Sequence, residues 1–363
     1  MAVFADEELG QFAEMTRRFV AENYTPEQRL AFSLEAPGYS RAMWSRYAEF
    51  GWLALSLAEE EGGAGGGAVE LGVLLEASGR ALLLEPLLPT LALGAQLISL
   101  LGSETQRADL LPRIAAGEIA LAFAHSEPNA GHERLVVNAC ATESGLTGDK
   151  RFVLHGAEAD LLLVSARRAD GGLGLYLLNA GMPGVSFETY PSLDGRPAAD
   201  VRLDNVPAEP LGSGDASAAI DRFLDLATTA LCAESMAIVA ELNAATLQYA
   251  RTRKQFGHAI GDFQVVQHRL VDMMTAEQEG WAVTRCAQFA FDDGAAEGWR
   301  VISAAKARVD RIARFVSEQA IQLHGGVGMS EELMVGHYVK RLMLNMTMFG
   351  DAQWHLGRLG QDL

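Results

Sequence analysis

Two long helical patterns joined by a short cationic turn constrain the fold of this chain more than any other feature of its sequence. Residues 223–249 are rich in Ala, Leu, Met and Glu, contain neither Gly nor Pro, and repeat apolar side chains at helical spacing. Gly257 and Gly261 interrupt this pattern, and residues 263–291 resume it. The sequence therefore predicts two long helices that meet at a short turn.

The turn between these helices concentrates side chains that suit a nucleotide. Arg251, Arg253 and Lys254 supply positive charge, and Gln255 and Phe256 follow directly. Guanidinium groups and backbone N–H groups at a helix start bind phosphate oxygens, and a phenyl face can contact a flat ring. The alternative is a solvated interhelical turn without a ligand, and the residue types alone leave both interpretations open.

Composition argues against several classes of function. The chain carries a net charge of −18, which disfavours binding to nucleic acid or to anionic membrane surfaces. Its three cysteines are scattered without metal-type spacing, and we interpret them as reduced core thiols of a cytoplasmic protein. The N-terminus lacks the basic region of a signal peptide. The apolar stretch 82–101 contains Glu85, Pro86 and Pro89, so it predicts a buried helix beside an extended segment rather than a membrane span.

Helical, β-type and again helical patterns divide the chain into three parts. We expect an N-terminal helical domain at residues 1–118, a middle β domain at 119–212 and a C-terminal helical bundle at 213–363. The middle part consists of short β-type runs, one of them at residues 134–141, separated by Gly, Asp, Asn and Pro. This pattern is typical of a compact antiparallel sheet.

Two motifs in this order resemble those of the acyl-CoA dehydrogenase family. The first is Arg253-x-x-Phe256-Gly257, followed by Phe263-Gln264, and the second is Gln322-Leu-His324-Gly325-Gly326-Val-Gly328. The resemblance extends over nearly the whole chain and includes residues 126–131. It implies the acyl-CoA dehydrogenase fold, which is mainly α with an antiparallel, barrel-like β domain between two helical domains.

The resemblance also implies an FAD site shared between subunits, with the flavin ring held by one subunit and the adenosine diphosphate half reaching its neighbour. The residues of this chain that match the family positions for the diphosphate half are Arg253, Gln255, Phe256, Phe263, Gln264, Gln322, Gly325 and Gly326. Their chemistry agrees, since Arg pairs with pyrophosphate oxygens and glycines allow close backbone approach. For Gly325 and Gly326, a plain C-terminal helix stop is the alternative.

The part of the chain that would hold the flavin ring departs from the family pattern. His132 and Glu133 replace the usual Ser-Asp pair, and Leu154 replaces a hydroxyl residue that hydrogen-bonds the ring in the family. Leu154 is also what an ordinary packed strand would place there. Ser126 is retained, and we assign no role to His132 or His324 beyond structural hydrogen bonding.

The catalytic base expected from the resemblance is missing. Dehydrogenation of a thioester needs a carboxylate for the α-proton and a flavin for the β-hydride. The two positions where family members carry this Glu are Phe349 and Ala227 in this chain. Asp351 is the fallback candidate, while Asp225 and Glu234 lie near Ala227 on the predicted helix.

These features together predict the non-catalytic partner in a heterotetrameric acyl-CoA dehydrogenase. The resemblance implies a second subunit that carries the Glu, a bulky or steroid-derived acyl-CoA substrate and an electron-transfer flavoprotein as acceptor. Two alternatives stay open. One is a self-sufficient FAD homo-oligomer, a dehydrogenase or oxidase, that uses a base such as Asp351. The other is a non-catalytic binding or regulatory protein on the same fold.

Overall fold

The computed structural model describes residues 6–360. Its N-terminal part is helical, and capping boxes at Thr25 and Ser103 begin two of its helices. A seven-residue π-helix, Leu88–Gly94, runs directly into the fifth helix. The helices of this part are α1 Asp6–Asn23, α2 Pro26–Leu34, α3 Arg41–Glu49, α4 Ala68–Ala81, α5 Ala95–Leu101 and α6 Glu104–Ala115.

Most of the apolar stretch 82–101 is buried in the core of this part, as predicted, while Leu100 near its end is 50% exposed. Leu84, Leu91 and Leu97 are fully buried there. Among the described residues one helix, Ser217–Thr252, is long and apolar enough to cross a membrane, but 94% of its most apolar window is buried inside the protein. That burial identifies it as a core helix.

The middle part is a sheet formed by the strands β1 Leu121–Ala124, β2 Cys140–Thr142, β3 Gly145–Leu154, β4 Leu161–Arg167, β5 Leu173–Asn179, β6 Val185–Pro191, β7 Pro197–Val206 and β8 Glu209–Leu211. Its main strand order is β6-β7-β3-β2-β4-β5-β8, with β1 beside β4. Most pairs are antiparallel, as predicted, but β4 pairs in parallel with β1 and, at one position, with β2. A parallel pair needs a long connection, and the segment between β1 and β4 contains the β2–β3 hairpin.

The predicted strand at residues 134–141 was wrong over most of its length. Only Cys140 and Ala141 of that run belong to a strand, and residues 134–139 form an irregular segment. Arg134 is held there by contacts with the C-terminal helices instead of by a neighbouring strand. Tertiary contacts therefore override the β propensity of this run.

The C-terminal part is built around α7, Ser217–Thr252, which packs against α4 and against two further long helices, α8 Gln264–Asp292 and α9 Gly298–His324. A two-stranded hairpin, β9 Lys254–Gln255 and β10 His258–Ala259, connects α7 to the next long helix. Both long helices that the sequence predicted around this turn are present. The remaining helices are α10 Met334–Asn345 and α11 Ala352–Gly360.

A buried charge network joins the three parts. Arg341 of α10 is fully buried and pairs with Glu234 of α7 at 2.7 Å and with Asp194 of the β6–β7 turn. Arg29 of α2 donates to the backbone carbonyls of Leu82 at 2.9 Å and Asp194 at 2.7 Å. Removing one member of such a buried network is strongly destabilising, so these contacts fix the relative placement of the parts.

The cysteines are all unpaired, as predicted, but they are not all core residues. Cys232 is buried, Cys140 is half-buried and Cys286 is exposed. Cys286 lies on the solvent side of α8, where helical periodicity turns it away from α7.

Candidate functional site

A cavity of about 240 Å³ lies where the π-helix, the β domain and the C-terminal helices meet. Leu88, Pro89 and Leu93 of the π-helix line one side of it. The other lining residues are Phe123, His125, Ser126, Ala130, Gly131, His132, Glu133, Arg134, Val136, Phe152, Leu154, Leu224, Thr347, Met348, Phe349 and Gly350. Ser126, His132, Leu154 and Phe349, all singled out in the sequence, therefore share one cavity.

Two aromatic residues in this lining have unusual backbone conformations. Phe152 has a φ of 51° and Phe349 a φ of 58°, both in the left-handed region that non-glycine residues rarely occupy. Such conformations cost about 1–3 kcal/mol each and occur mainly where the surrounding structure holds them. The carbonyl of Phe349 accepts a hydrogen bond from Arg134 at 3.4 Å, while the phenyl side chain of Phe349 offers no proton acceptor to the cavity.

Arg134 ties the cavity wall to the C-terminal helices. Its Nη1 atom donates to Asp225 at 2.5 Å and to Asp221 at 3.0 Å, both on α7. Its Nη2 atom donates to the carbonyl of Phe349 at 3.4 Å, and the guanidinium lies 5.0 Å from the centre of the Trp354 ring. Sequence reasoning missed this residue because it had been placed in a strand.

The acids near the second base position are committed to structural contacts. Ala227 is fully buried, so this position has no side chain that reaches a substrate. Asp225 lies between Arg134 at 2.5 Å and Arg358 at 2.9 Å. Glu234 pairs with Arg341 and accepts hydrogen bonds from Ser78 and Asn345. Neither carboxylate is free to remove a proton.

Asp351, the fallback candidate, lies beside the cavity rather than in its lining. It accepts a hydrogen bond from the backbone N–H of Trp354 at 2.8 Å and so caps the start of α11. Its Oδ2 atom is 3.7 Å from Nε2 of His132, which does line the cavity. Glu133 is an exposed carboxylate in the lining that sequence reasoning had noted only as a departure from the family pattern.

A buried ionic contact positions the segment that carries His132. Lys150 donates to Glu127 at 2.6 Å and to the carbonyl of His125 at 3.2 Å, and burial lowers the pKa of Lys150 to about 8. Both His125 nitrogens are engaged, with Ser165 at 2.8 Å and the Arg134 carbonyl at 2.6 Å. Burial, followed by the charge of Lys150, lowers the pKa of His125 to about 4. His125 is thus a neutral structural residue near pH 7.

The cationic turn predicted from the sequence is a solvent-facing surface. Phe256 is 91% exposed at the tip of the β9–β10 hairpin, and its ring meets Phe263 edge-on at 6.4 Å between ring centres. Arg253 is exposed and forms no salt bridge with any other residue in the range 6–360. An exposed ring and an unpaired cation are available to a ligand or a second chain.

The second motif lies next to this turn. His324, at the end of α9, stacks on Tyr249 of α7 at 4.4 Å between ring centres, and its carbonyl accepts a hydrogen bond from the Tyr249 hydroxyl. Gly325 has φ 64° and ψ −148°, a conformation essentially restricted to glycine, and ends the helix. A Cβ at Gly325 or Gly326 would meet nothing within 4 Å, so packing within this chain does not explain the second glycine.

The cavity and the cationic turn lie at opposite ends of α7. Leu224 lines the cavity and Thr252 ends the helix next to Arg253. At about 1.5 Å per residue, the 28 steps between them span about 42 Å. The two regions are therefore far apart within one chain.

Comparisons with known proteins agree with this geometry. Models of the N-terminal, middle and C-terminal domains of acyl-CoA dehydrogenase match residues 6–118, 122–206 and 217–363. The chain belongs to the acyl-CoA dehydrogenase family. Members are FAD-dependent oxidoreductases that act on CH–CH donors. The family assignment confirms the fold and the cofactor expected from the sequence, whereas the individual FAD-binding residues and the domain limits stay predictions.

Three relatives illustrate the relationship. Acyl-CoA dehydrogenase FadE27 of Mycobacterium tuberculosis is 28% identical over 360 residues, which cover 93% of this chain and 92% of that protein. The solved structure of a variant of the steroid acyl-CoA dehydrogenase Tcur3481–Tcur3483 is 33% identical with a TM-score of 0.89, covering 98% and 97% of the two chains. The ChsE4–ChsE5 complex of M. tuberculosis has a TM-score of 0.85 at 23% identity, covering 100% and 98%.

Proposed function

We propose that this chain is the subunit of an acyl-CoA dehydrogenase heteromer that lends its nucleotide-binding surface to a partner carrying the catalytic Glu. The partner would hold the flavin ring, and this chain would hold the adenosine diphosphate half. The proposed substrate is a bulky acyl-CoA, such as a steroid-derived one, and the proposed acceptor is an electron-transfer flavoprotein. We expect the complex to act in the cytoplasm.

The separation of about 42 Å along α7 carries this proposal. One end of α7 lies beside an exposed surface that includes Arg253, Phe256 and Gly325. The cavity lies near the other end of α7, and Phe349 occupies the position of the family's catalytic Glu there. A surface that fits the diphosphate half of FAD is functional only if a second chain places a flavin next to it. The adenosine diphosphate half of FAD is suited by a guanidinium group for its phosphates, by glycine backbone that allows close approach and by an aromatic face.

Neither of the two family base positions carries a carboxylate in this chain, which supports a partner subunit that supplies the base. FAD, when bound, accepts the hydride from the β-carbon, and a carboxylate must remove the α-proton. Phe349 and Ala227 cannot accept a proton, and Asp225 and Glu234 are held in buried ion pairs. The contribution of this chain would be to bind and orient FAD from outside the reacting centre.

Two similar structures support a heteromer and a bulky substrate. One is the steroid acyl-CoA dehydrogenase Tcur3481–Tcur3483, and the other is the complex of ChsE4 with ChsE5. Phe349 lines this chain's cavity at a position where family members carry the catalytic Glu. A bulky substrate would therefore use the partner's acyl site.

The test compares two neighbouring arginines in the co-expressed complex. Arg253→Ala should release most of the bound FAD, because it removes the cation that pairs with the pyrophosphate. Arg251→Ala is the matched control, since Arg251 is also exposed but lies outside the motif, and it should retain FAD at the wild-type level. Equal FAD content in both variants would overturn the proposal.

A self-sufficient enzyme is the second candidate, and one observation favours it. Glu133 lines the cavity, and His132 lies there within 3.7 Å of Asp351, so a proton acceptor could reach a bound substrate. In that case the chain alone would be reduced by an acyl-CoA, and Glu133→Gln or Asp351→Asn would abolish the reduction. FAD that is never reduced by any acyl-CoA, with or without a partner, would instead indicate a binding or regulatory protein.

A further inference from the structure

The two motifs of the nucleotide-binding surface lie at the ends of different helices. Arg253 and Phe256 follow the end of α7, whereas Gly325 and Gly326 follow the end of α9. Helix ends fray more readily than helix interiors. A diphosphate group that contacts both motifs requires a fixed distance between them, so a side-chain contact that joins the two helix ends bears directly on binding.

One aromatic pair joins these two ends. Tyr249 of α7 lies one helical turn before Arg253, and its ring stacks on the buried imidazole of His324 at 4.4 Å between ring centres and 27° between ring planes. The Tyr249 hydroxyl donates to the His324 carbonyl at 3.4 Å. That distance is long for an O–H···O hydrogen bond, so the contact between the rings is the larger contribution.

The same two residues also hold the backbone on each side of the contact. The Tyr249 carbonyl accepts the backbone N–H of Arg253 at 2.8 Å, which closes the last turn of α7. Nδ1 of His324 donates to the carbonyl of Ala320 at 2.9 Å, within the last turn of α9. A Cβ at Gly328 would come within 2.9 Å of the His324 Cβ, so the chain after α9 packs directly on this histidine.

The packing of α7 on α9 does not depend on this pair. The two helices share a buried core that includes Leu242 of α7 and Val316 and Ala320 of α9. Tyr249, in contrast, is only half-buried, at the edge of that core. Its contact with His324 therefore adds little to holding the helices together, but it links the backbone before Arg253 to the backbone before Gly325.

We propose that Tyr249 and His324 are positioning residues that set the distance between Arg253 and the Gly325–Gly326 backbone for the adenosine diphosphate group. This inference rests on the proposed function, because it assigns a role at the same shared FAD site. Neither residue has to touch FAD. An aromatic pair of this kind changes an equilibrium by about twofold to tenfold, which sets the size of the expected effect.

The experiment combines two readouts. The first is the rate at which the co-expressed complex releases FAD on dilution, followed by flavin fluorescence. The second is amide hydrogen exchange at residues 325–328 in the full-length chain alone, which requires no flavin. Tyr249→Leu and His324→Leu each remove the ring contact, and Tyr249→Phe keeps the ring but removes the hydroxyl. Tyr176→Leu is the matched control, because Tyr176 is a half-buried tyrosine of β5 in the middle domain.

Each of the two leucine variants of the pair should release FAD about fivefold to tenfold faster and should speed amide exchange at residues 325–328 by a similar factor. The double variant should be no worse than either single variant, because both changes remove the same contact. Tyr249→Phe and the control should stay within about twofold of the wild type, since both retain the stacked rings.

Several results would overturn this inference. They are additive effects in the double variant, Tyr249→Phe as damaging as Tyr249→Leu, unchanged exchange at residues 325–328, and faster exchange without faster FAD release. Faster exchange spread evenly over the chain, with a lowered urea midpoint, would do the same, because it indicates general destabilisation. Failure of the proposed function is distinguishable, since Arg253→Ala would then also leave FAD bound, whereas failure of this inference alone leaves the effect of Arg253→Ala intact.

Discussion

Replacement of Asp225 by Asn tests whether the acids beside the cavity are structural or catalytic. The Asp225 side chain is 9% exposed and receives hydrogen bonds from Arg134 at 2.5 Å and Arg358 at 2.9 Å. The substitution keeps the size of the side chain and removes its charge. The buried Arg134 and the half-buried Arg358 would then share Asp221, whose side chain is 37% exposed, as their carboxylate partner.

The magnitude follows from the loss of one member of a buried ionic cluster. Breaking a buried pair costs about 3–5 kcal/mol when the remaining charge is left uncompensated. Asp221 retains one contact with each arginine, at 3.0 Å and 3.2 Å, so compensation is partial. We therefore expect Asp225→Asn to lower the free energy of unfolding by about 3 kcal/mol, the low end of that range.

Urea denaturation of the full-length chain, followed by tryptophan fluorescence and circular dichroism, measures this loss as a shift of the midpoint. The control is Asp109→Asn, whose carboxylate is 61% exposed and pairs with Arg113 at 3.4 Å. Exposed pairs contribute about 0–1 kcal/mol, so the control should be nearly unchanged. A loss below about 1 kcal/mol for Asp225→Asn would refute the structural assignment. If that variant kept its stability but abolished turnover of the complex, Asp225 would be the missing base.

Three further predictions concern separate sites. Burial raises the pKa of Glu85 from 4.5 to about 7, so folding favours the protonated carboxyl and the contribution of Glu85 to stability falls as the pH rises through this range. The free energy of unfolding of the wild type should therefore fall by about 3 kcal/mol more than that of Glu85→Gln between pH 4.5 and 7, and urea midpoints of both proteins across this range measure the difference; equal pH dependence would contradict the assignment. Phe349→Glu alone should produce no turnover with acyl-CoA substrates in a dye-reduction assay. The reason is that Leu154 still offers the flavin ring no hydroxyl and His132 still departs from the family pattern. Substantial turnover by this single variant would contradict the prediction. Phe256→Ala should change the free energy of unfolding by less than about 0.5 kcal/mol, because the ring is 91% exposed. The same variant should reduce the amount of FAD that the complex retains after gel filtration. Unchanged FAD retention would count against a contact between Phe256 and FAD.

Helical periodicity was sufficient to predict the long helices and the turn between them. The run at residues 223–249 lacks Gly and Pro, and it lies within α7. Gly257 and Gly261 interrupt the helical pattern where the β9–β10 hairpin and the turn after it lie. These elements depend on local residue preferences, which the sequence displays directly.

The cavity depended on contacts that no local pattern displays. Arg134 looked like a strand residue, but its position is set by Asp225, which lies 91 residues further along the chain. The pairing of His132 with Asp351 likewise joins the β domain to the start of α11. Such long-range ionic contacts leave no periodic signal, and a charged residue on a helix is usually solvated, so the sequence offered no reason to place these side chains together.

The flavin content of the purified chain, measured by absorbance per subunit, tests the shared-cofactor proposal most directly. The measurement is made on the chain expressed alone and on the chain co-expressed with a family member that carries the catalytic Glu. We predict little flavin in the chain alone and about one FAD per pair of unlike subunits in the complex. One FAD bound to each chain in the absence of a partner would contradict the proposal.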